Sequence, residues 1–213
     1  MKANRFLKLK TNLILVLGAA ALTGPALGET ISYSPQPGSS KATVYGDSSI
    51  KKWNMESGII GGKFEADANF PESALTDPAA AKPVAQVSIP VKTLKTGNAT
   101  MEGKMQVTMS ETNFPRIIYN LIELKPKSKP GATGALAFDA IGTLTITGKT
   151  ITNTMPVTIE KTAGKLKIVG STPLKLTQFD IKPPIIALPL LPDITVYDDL
   201  KVDFVWALAP KKK

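Results

Sequence analysis

The 213-residue chain contains no cysteine and no histidine, and only 6% of it is aromatic. The missing cysteine rules out disulfides and thiolate nucleophiles. The missing histidine removes Ser-His and Cys-His catalytic systems and the usual zinc sites. Long apolar runs are scarce too: Leu13 to Leu22 is well short of the roughly 18 residues expected of a spanning helix. That run follows Lys2, Arg5, Lys8 and Lys10 and precedes Pro25 and Ala26-Leu27-Gly28. A basic head, a short apolar core and a small-x-small end make a secretory signal peptide, residues 1–28, cut after Gly28. No cysteine follows it, which excludes a lipid-modified lipoprotein. Residues 29–213 are then one domain of comfortable size, exported and without a transmembrane span. The formal charge of +9 falls to about +5 once the four basic residues leave. No basic stripe with interleaved aromatics is present, so nucleic acid is not an expected partner. An exported domain without disulfides depends on a large, well-closed core.

What the chain does have is period-two apolar patterning. From Asp199 to Leu208, Leu200, Val202, Phe204, Trp206 and Leu208 share one parity, opposite Lys201, Asp203 and Ala207. This is a half-buried strand with a bulky apolar side. Thr43 to Gly46 and Ser48 to Met55 read as strands, with Ile50 and Trp53 on opposite parities, which predicts a bulge. Lys63 to Ala68 places Phe64 inward, and Val84 to Val91 aligns Val87 with Ile89. In Arg116 to Leu124, Ile117, Tyr119 and Leu121 share a face, and Ile118 and Ile122 predict a cover over the other. Leu136 to Gly148 puts Gly142, Leu144 and Ile146 on one side and threonines on the other. Thr150 to Lys161, Lys165 to Gly170 and Pro173 to Phe179 complete the set, and Phe70 to Pro83 reads as a loop. The one convincing helix is Asn98 to Met109, where Met101, Met105 and Met109 stack along a stripe that suits core packing or an adaptable ligand surface. The count predicts an all-β fold, either a sandwich or an up-and-down barrel. Inward apolar faces on nearly every strand favour an antiparallel barrel of about eight strands with one short helix, able to hold an apolar ligand.

Catalytic candidates are few. Asp193, Asp198 and Asp199 lie close in sequence, but strand neighbours point to opposite faces and the setting is turn-like, so they read as solvated turn acids. Gly61-Gly62-Lys63 lacks the rest of a phosphate loop. Asp180 to Thr195 stands apart. Its four prolines bar it from a central strand or a helix, yet Ile185, Ile186, Leu188, Leu190 and Leu191 are too apolar for a solvated loop. Such a segment covers an opening, as a plug or as a lip that touches an apolar ligand.

Five blocks resemble the YceI-like family of secreted polyisoprenoid-binding proteins. They are Gly46 to Trp53, Val87 to Gly97, Asn113 to Tyr119, Gly142 to Thr150 and Phe179 to Pro184, of which the Gly-Thr-Leu-Thr-Ile-Thr-Gly-Lys-Thr hairpin is the most specific. The resemblance implies a lipocalin-like barrel whose elongated cavity holds a long isoprenoid or similar amphiphile in the periplasm. The family's histidine before the tryptophan is Lys51 or Lys52 here, where an ammonium could meet a phosphate or carboxylate. The expected cavity wall is Trp53, Phe64, Val87, Ile89, Met105, Phe114, Ile117, Tyr119, Leu144, Ile146, Phe204 and Trp206. The expected mouth is Phe179 and Ile185 to Leu191, with Ile186 and Leu188 touching ligand. The leading expectation is a non-enzymatic periplasmic or secreted carrier that takes a lipid, uses no cofactor or metal and is compatible with a homodimer. The rivals are an envelope interaction protein docking through the Pro-rich loop and, more remotely, a carboxylate isomerase or hydrolase.

Overall fold

The computed structural model describes residues 29–188 and 190–211; the expected signal peptide lies outside the described residues. Four strands come first: β1 (Thr30–Pro35), β2 (Lys41–Gly46), β3 (Trp53–Ser57) and β4 (Gly61–Asp67). Two one-turn helices, α1 (Ser73–Thr76) and α2 (Pro78–Ala81), lead into β5 (Val84–Pro90), and α3 (Ala99–Thr108) precedes β6 (Arg116–Pro126). Then come β7 (Leu136–Ile146), β8 (Lys149–Thr162), β9 (Lys165–Lys175), the short β10 (Ile185–Leu188) and β11 (Leu191–Thr195), and β12 (Asp199–Pro210).

The strands pair antiparallel in the order β1-β4-β5-β6-β7-β8-β9-β12, and β12 pairs again with β1, which closes an eight-stranded barrel. β1 and β2 run one after the other along β12, since Pro35 opposes Leu208 and Lys41 opposes Val205. The kink between them is held by Ser40, whose hydroxyl accepts from the Ala207 amide at 3.1 Å. β2 pairs with β3, but β3 meets the β5 side through a Glu56–Lys95 bridge and a Ser57–Thr93 hydroxyl contact at 2.7 Å instead of a ladder. α3 covers that gap, packing Met105 with Met55, Val91 and Leu94. Its first turn is closed by Asn98, whose side chain accepts from the Met101 amide at 3.0 Å.

β7 shows why the barrel is hollow. Leu136, Phe138, Ala140, Leu144 and Ile146 are buried on one parity, while Thr145 faces out and bonds Thr150 across the hairpin at 2.8 Å. Connections 68–83, 127–135 and 163–164 lie at one end, and 47–52, 91–115, 147–148 and 176–198 at the other. The first end is sealed: Tyr33, Phe64, Phe70, Leu136, Phe138, Ile159, Leu166 and Leu208 are its largest fully buried side chains. Among the described residues no helix is long and apolar enough to cross a membrane.

Four expectations are corrected. Ser48 to Lys52, expected in a strand, is a loop and the strand begins at Trp53, because the Ser48 hydroxyl donates to the Lys51 carbonyl at 2.8 Å and closes a turn. Phe70 to Pro83 is a two-helix cap whose Phe70, Ala74 and Leu75 are buried. Ile118 and Ile122, predicted to lie under a cover, are exposed on the barrel's outside. The Pro-rich segment forms regular structure after all, since β10 and β11 pair with each other alone. A free-standing two-stranded ribbon has only edges, and there Pro192 forfeits no interior ladder bond.

Candidate functional site

A cavity of about 1070 Å³ runs down the barrel. That is at the upper limit of the roughly 300–1,000 Å³ typical of small-molecule sites. Its wall is built by strand parity. Val87 and Ile89 come from β5, Ile117 and Tyr119 from β6, Leu144 and Ile146 from β7, and Phe204 and Trp206 from β12. Phe64 borders its deep end and packs edge-on against Trp206 at 6.3 Å between ring centres. Trp53 lines the upper wall, its indole donating to the Asp47 carbonyl at 3.2 Å. In the methionine stripe Met105 is buried, and Met101, Met105 and Met109 all border the cavity.

The mouth lies among the four upper connections. Ile50, Val107 and Ile185 line the cavity and are also 62%, 80% and 62% exposed, so the hollow opens to solvent between loop 47–52, α3 and the hairpin. Phe179 and Ile186 contribute to the lip as expected; the side chain of Leu188 lies outside the described residues. The hairpin is anchored by the Ser48–Val196 bridge and by the Thr195 amide donating to the Ser49 hydroxyl at 3.1 Å. Lys51 and Lys104 also border the mouth, and no acidic partner faces either among the described residues. Lys52 does not border the cavity.

One wall residue is misplaced in the expected set. Phe114 does not line the cavity: it lies in the turn after α3 and is 40% exposed, its ring set against Gly148 at the β7–β8 turn. Pattern reading also missed wall residues. Met155 and Ile168 fall on the face the alternation assigns to their strands but are absent from the expected wall, Ala140 is small, and Thr172 lies where β9 continues past Gly170. Of the acids expected in turns, Asp198 lies in the connection before β12, whereas Asp193 lies within β11 and Asp199 opens β12. Asp198 accepts from the Thr177 amide and hydroxyl at 2.9 and 2.7 Å, which holds its carboxyl below the ordinary range, and Asp199 pairs with Lys175. No Asp or Glu is among the described wall residues, and they form no cluster of metal-ligating side chains.

Tyr119 is the most perturbed group of the wall. Burial pushes its hydroxyl up to about 12. The folded protein therefore keeps this proton above pH 10, where an unfolded tyrosine loses it. The resulting stability is complete below pH 10 and drains away as the pH rises toward 12, by about 1.4 kcal/mol for each step of one in pH. Urea midpoints measured from pH 8 to 12 are expected to fall steeply above 10 and to fall less in Tyr119→Phe. Tyr33, raised by burial and then by Asp67, leaves a residual slope.

The YceI-like domain family model matches residues 33–208. No curated protein matches the sequence. Two solved structures share the fold. BcnA of Burkholderia cenocepacia aligns at 17% identity and TM-score 0.64, over 81% of this chain and 98% of its own. A polyisoprenoid-binding domain from Saccharophagus degradans, implicated in plant cell wall breakdown, aligns at 14% identity and TM-score 0.62, over 85% of this chain and 99% of its own. With the eight-stranded closure, the apolar hollow and a match spanning most of its length, the chain belongs to the YceI-like family.

Proposed function

We propose that the protein is a periplasmic or secreted carrier that takes up a long-chain isoprenoid or similar amphiphilic lipid, chain first, through the mouth between α3 and the β10–β11 hairpin. One observation carries the reading: an apolar hollow of about 1070 Å³, sealed at one end by the Phe64–Phe70 cluster and open at the other. Burial of chain carbons at about 0.8 kcal/mol per methylene supplies the affinity. Lys51 and Lys104 at the rim give an anionic headgroup its counter-charge. The Saccharophagus domain, described as polyisoprenoid-binding, supports the ligand class.

Mass spectrometry of solvent extracts from protein purified out of its native host tests this directly. A co-purifying long-chain lipid is the expected result. No lipid in the extract, together with no uptake of added long-chain lipid, would sink the reading.

The exposure of Ile185 and Leu190 on the hairpin favours one rival, partner docking. Ile186 and Ile194 separate the two, because they face each other across the hairpin and both border the cavity. Ile186→Ser is expected to weaken uptake of a fluorescent fatty acid about three- to tenfold, since only part of a buried isoleucine's worth is shared with the ligand. Unchanged uptake with loss of an envelope partner in pull-down would favour docking instead.

A further inference from the structure

The apolar hollow contains a polar band partway down. Tyr119 pairs with Leu144 across β6 and β7, while Leu121 pairs with Gly142 one rung farther from the mouth. The Tyr119 ring leans over that lower rung. A Cβ placed on Gly142 would lie 2.5 Å from the Tyr119 hydroxyl oxygen, so the hydroxyl rests on the inner face of β7. The next residue along the rung is Asn153 of β8, on the inward parity of Met155 and Val157. Its Nδ2 donates to the Thr172 hydroxyl at 3.4 Å, and Thr172 is 3% exposed on the cavity wall. Three strands, β6, β8 and β9, thus bring polar groups close to one level, with Gly142 of β7 between them.

Two atoms of this band are unpartnered. The Tyr119 hydroxyl and the Asn153 Oδ1 are buried without a hydrogen-bond partner in the protein, and Tyr119 itself is only 8% exposed. A phenylalanine would fill the same space with no polar atom to satisfy, and a plain hydrocarbon ligand would leave the hydroxyl unpaired. Gly142 is what makes room for the ring in this position.

We propose that the bound lipid carries an uncharged oxygen in the portion inside the barrel, and that Tyr119 recognises it by donating a hydrogen bond. The fitting groups are a carbonyl, a hydroxyl or an ether. A carboxylate or phosphate does not fit there, because both lysines of the cavity lie at the mouth and a buried anion would have no counter-charge. The proposal rests on the carrier reading and adds the chemistry of the ligand's interior segment.

The test uses a matched pair of probes, nonadecane and 10-nonadecanone, delivered from methyl-β-cyclodextrin and measured by displacement of a fluorescent lipid. Each is titrated into the purified wild-type protein and into Tyr119→Phe. The expected result is that the ketone-to-alkane affinity ratio falls about five- to tenfold in Tyr119→Phe, the size of one hydrogen bond, while alkane affinity holds. The carbonyl stretch of the bound ketone gives a second readout, shifted to lower frequency in wild type and restored in the variant. An unchanged ratio with an unshifted carbonyl, as a water bound to Tyr119 would produce, overturns the proposal and leaves the carrier reading standing. If the fluorescent lipid itself does not bind wild type, the carrier reading falls and the proposal falls with it; if it binds and neither probe displaces it, the proposal alone is overturned.

Discussion

Ala140→Trp is expected to abolish long-chain lipid uptake while leaving the barrel folded. Ala140 is buried on the inward parity of β7, between Leu124 on β6 and Met155 on β8, and all three border the hollow. An indole introduced in a packed core would strain its neighbours. Here it projects into open space, so the overpacking cost that usually follows a small-to-large change is mostly avoided. The ligand loses what the indole occupies. Removing even four methylenes from contact costs about 3 kcal/mol, roughly two orders of magnitude in affinity. Titration with a fluorescent long-chain fatty acid should show that loss, and calorimetry should place the melting temperature within about 3 °C of wild type. Ile122→Ser on the outer face of the same wall provides the contrast, since that side chain is exposed and uptake should not change. Retained uptake in Ala140→Trp would put the ligand somewhere other than the hollow.

The wall was legible in the sequence wherever one strand kept strict alternation over a long run. β7 and β12 are such strands, and Leu144, Ile146, Phe204 and Trp206 border the hollow as their parity requires. Legibility failed where geometry departs from period two. In β6 the register shifts between Leu121 and Glu123, so the inward role passes to Leu124 and leaves Ile122 outside. No local residue pattern announces that bulge. The sealing cap was missed for another reason: one-turn helices are too short to display a period, and alanines and prolines around Phe70 resemble a solvated loop although Phe70 is completely buried. The Pro-rich segment was recognised as a cover for the opening but not as a hairpin, because proline argues against central strands and is silent about an isolated ribbon. The polar band had a faint signal, a glycine on the inward parity of β7 facing the β6 tyrosine strand. Its meaning depends on how one ring leans, which sequence does not encode locally.

Gly62→Ala is expected to lower stability more than any change in the cavity wall. Gly62 lies within β4 at φ +129, a backbone conformation that side-chain-bearing residues rarely adopt. A Cβ there would overlap the Gln86 carbonyl oxygen and lie 2.9 Å from its carbonyl carbon, both backbone atoms of β5 that have no rotamer to escape through. The strain falls on the β4–β5 ladder, where Gly62 opposes Val87, and the barrel has no redundancy at that seam because each wall strand is a single link in a closed ring. Two strands are tied to it. β4 carries Phe64 into the sealing cluster, and β5 carries Val87 and Ile89 into the hollow. A loss of about 4 kcal/mol or more follows from combined φ strain and backbone overlap, enough to lower the melting temperature by roughly 10 °C in a domain of this size. The neighbouring Gly61→Ala serves as the internal comparison, since its Cβ would only approach the Ser88 carbonyl oxygen at 3.3 Å and its φ is ordinary. Equal urea midpoints for the two variants would show that the seam tolerates the side chain and that β4 and β5 are not held as closely as the register implies. A saturating lipid should recover part of the loss in Gly62→Ala, because a ligand that binds only the closed barrel adds its binding free energy to the folded state.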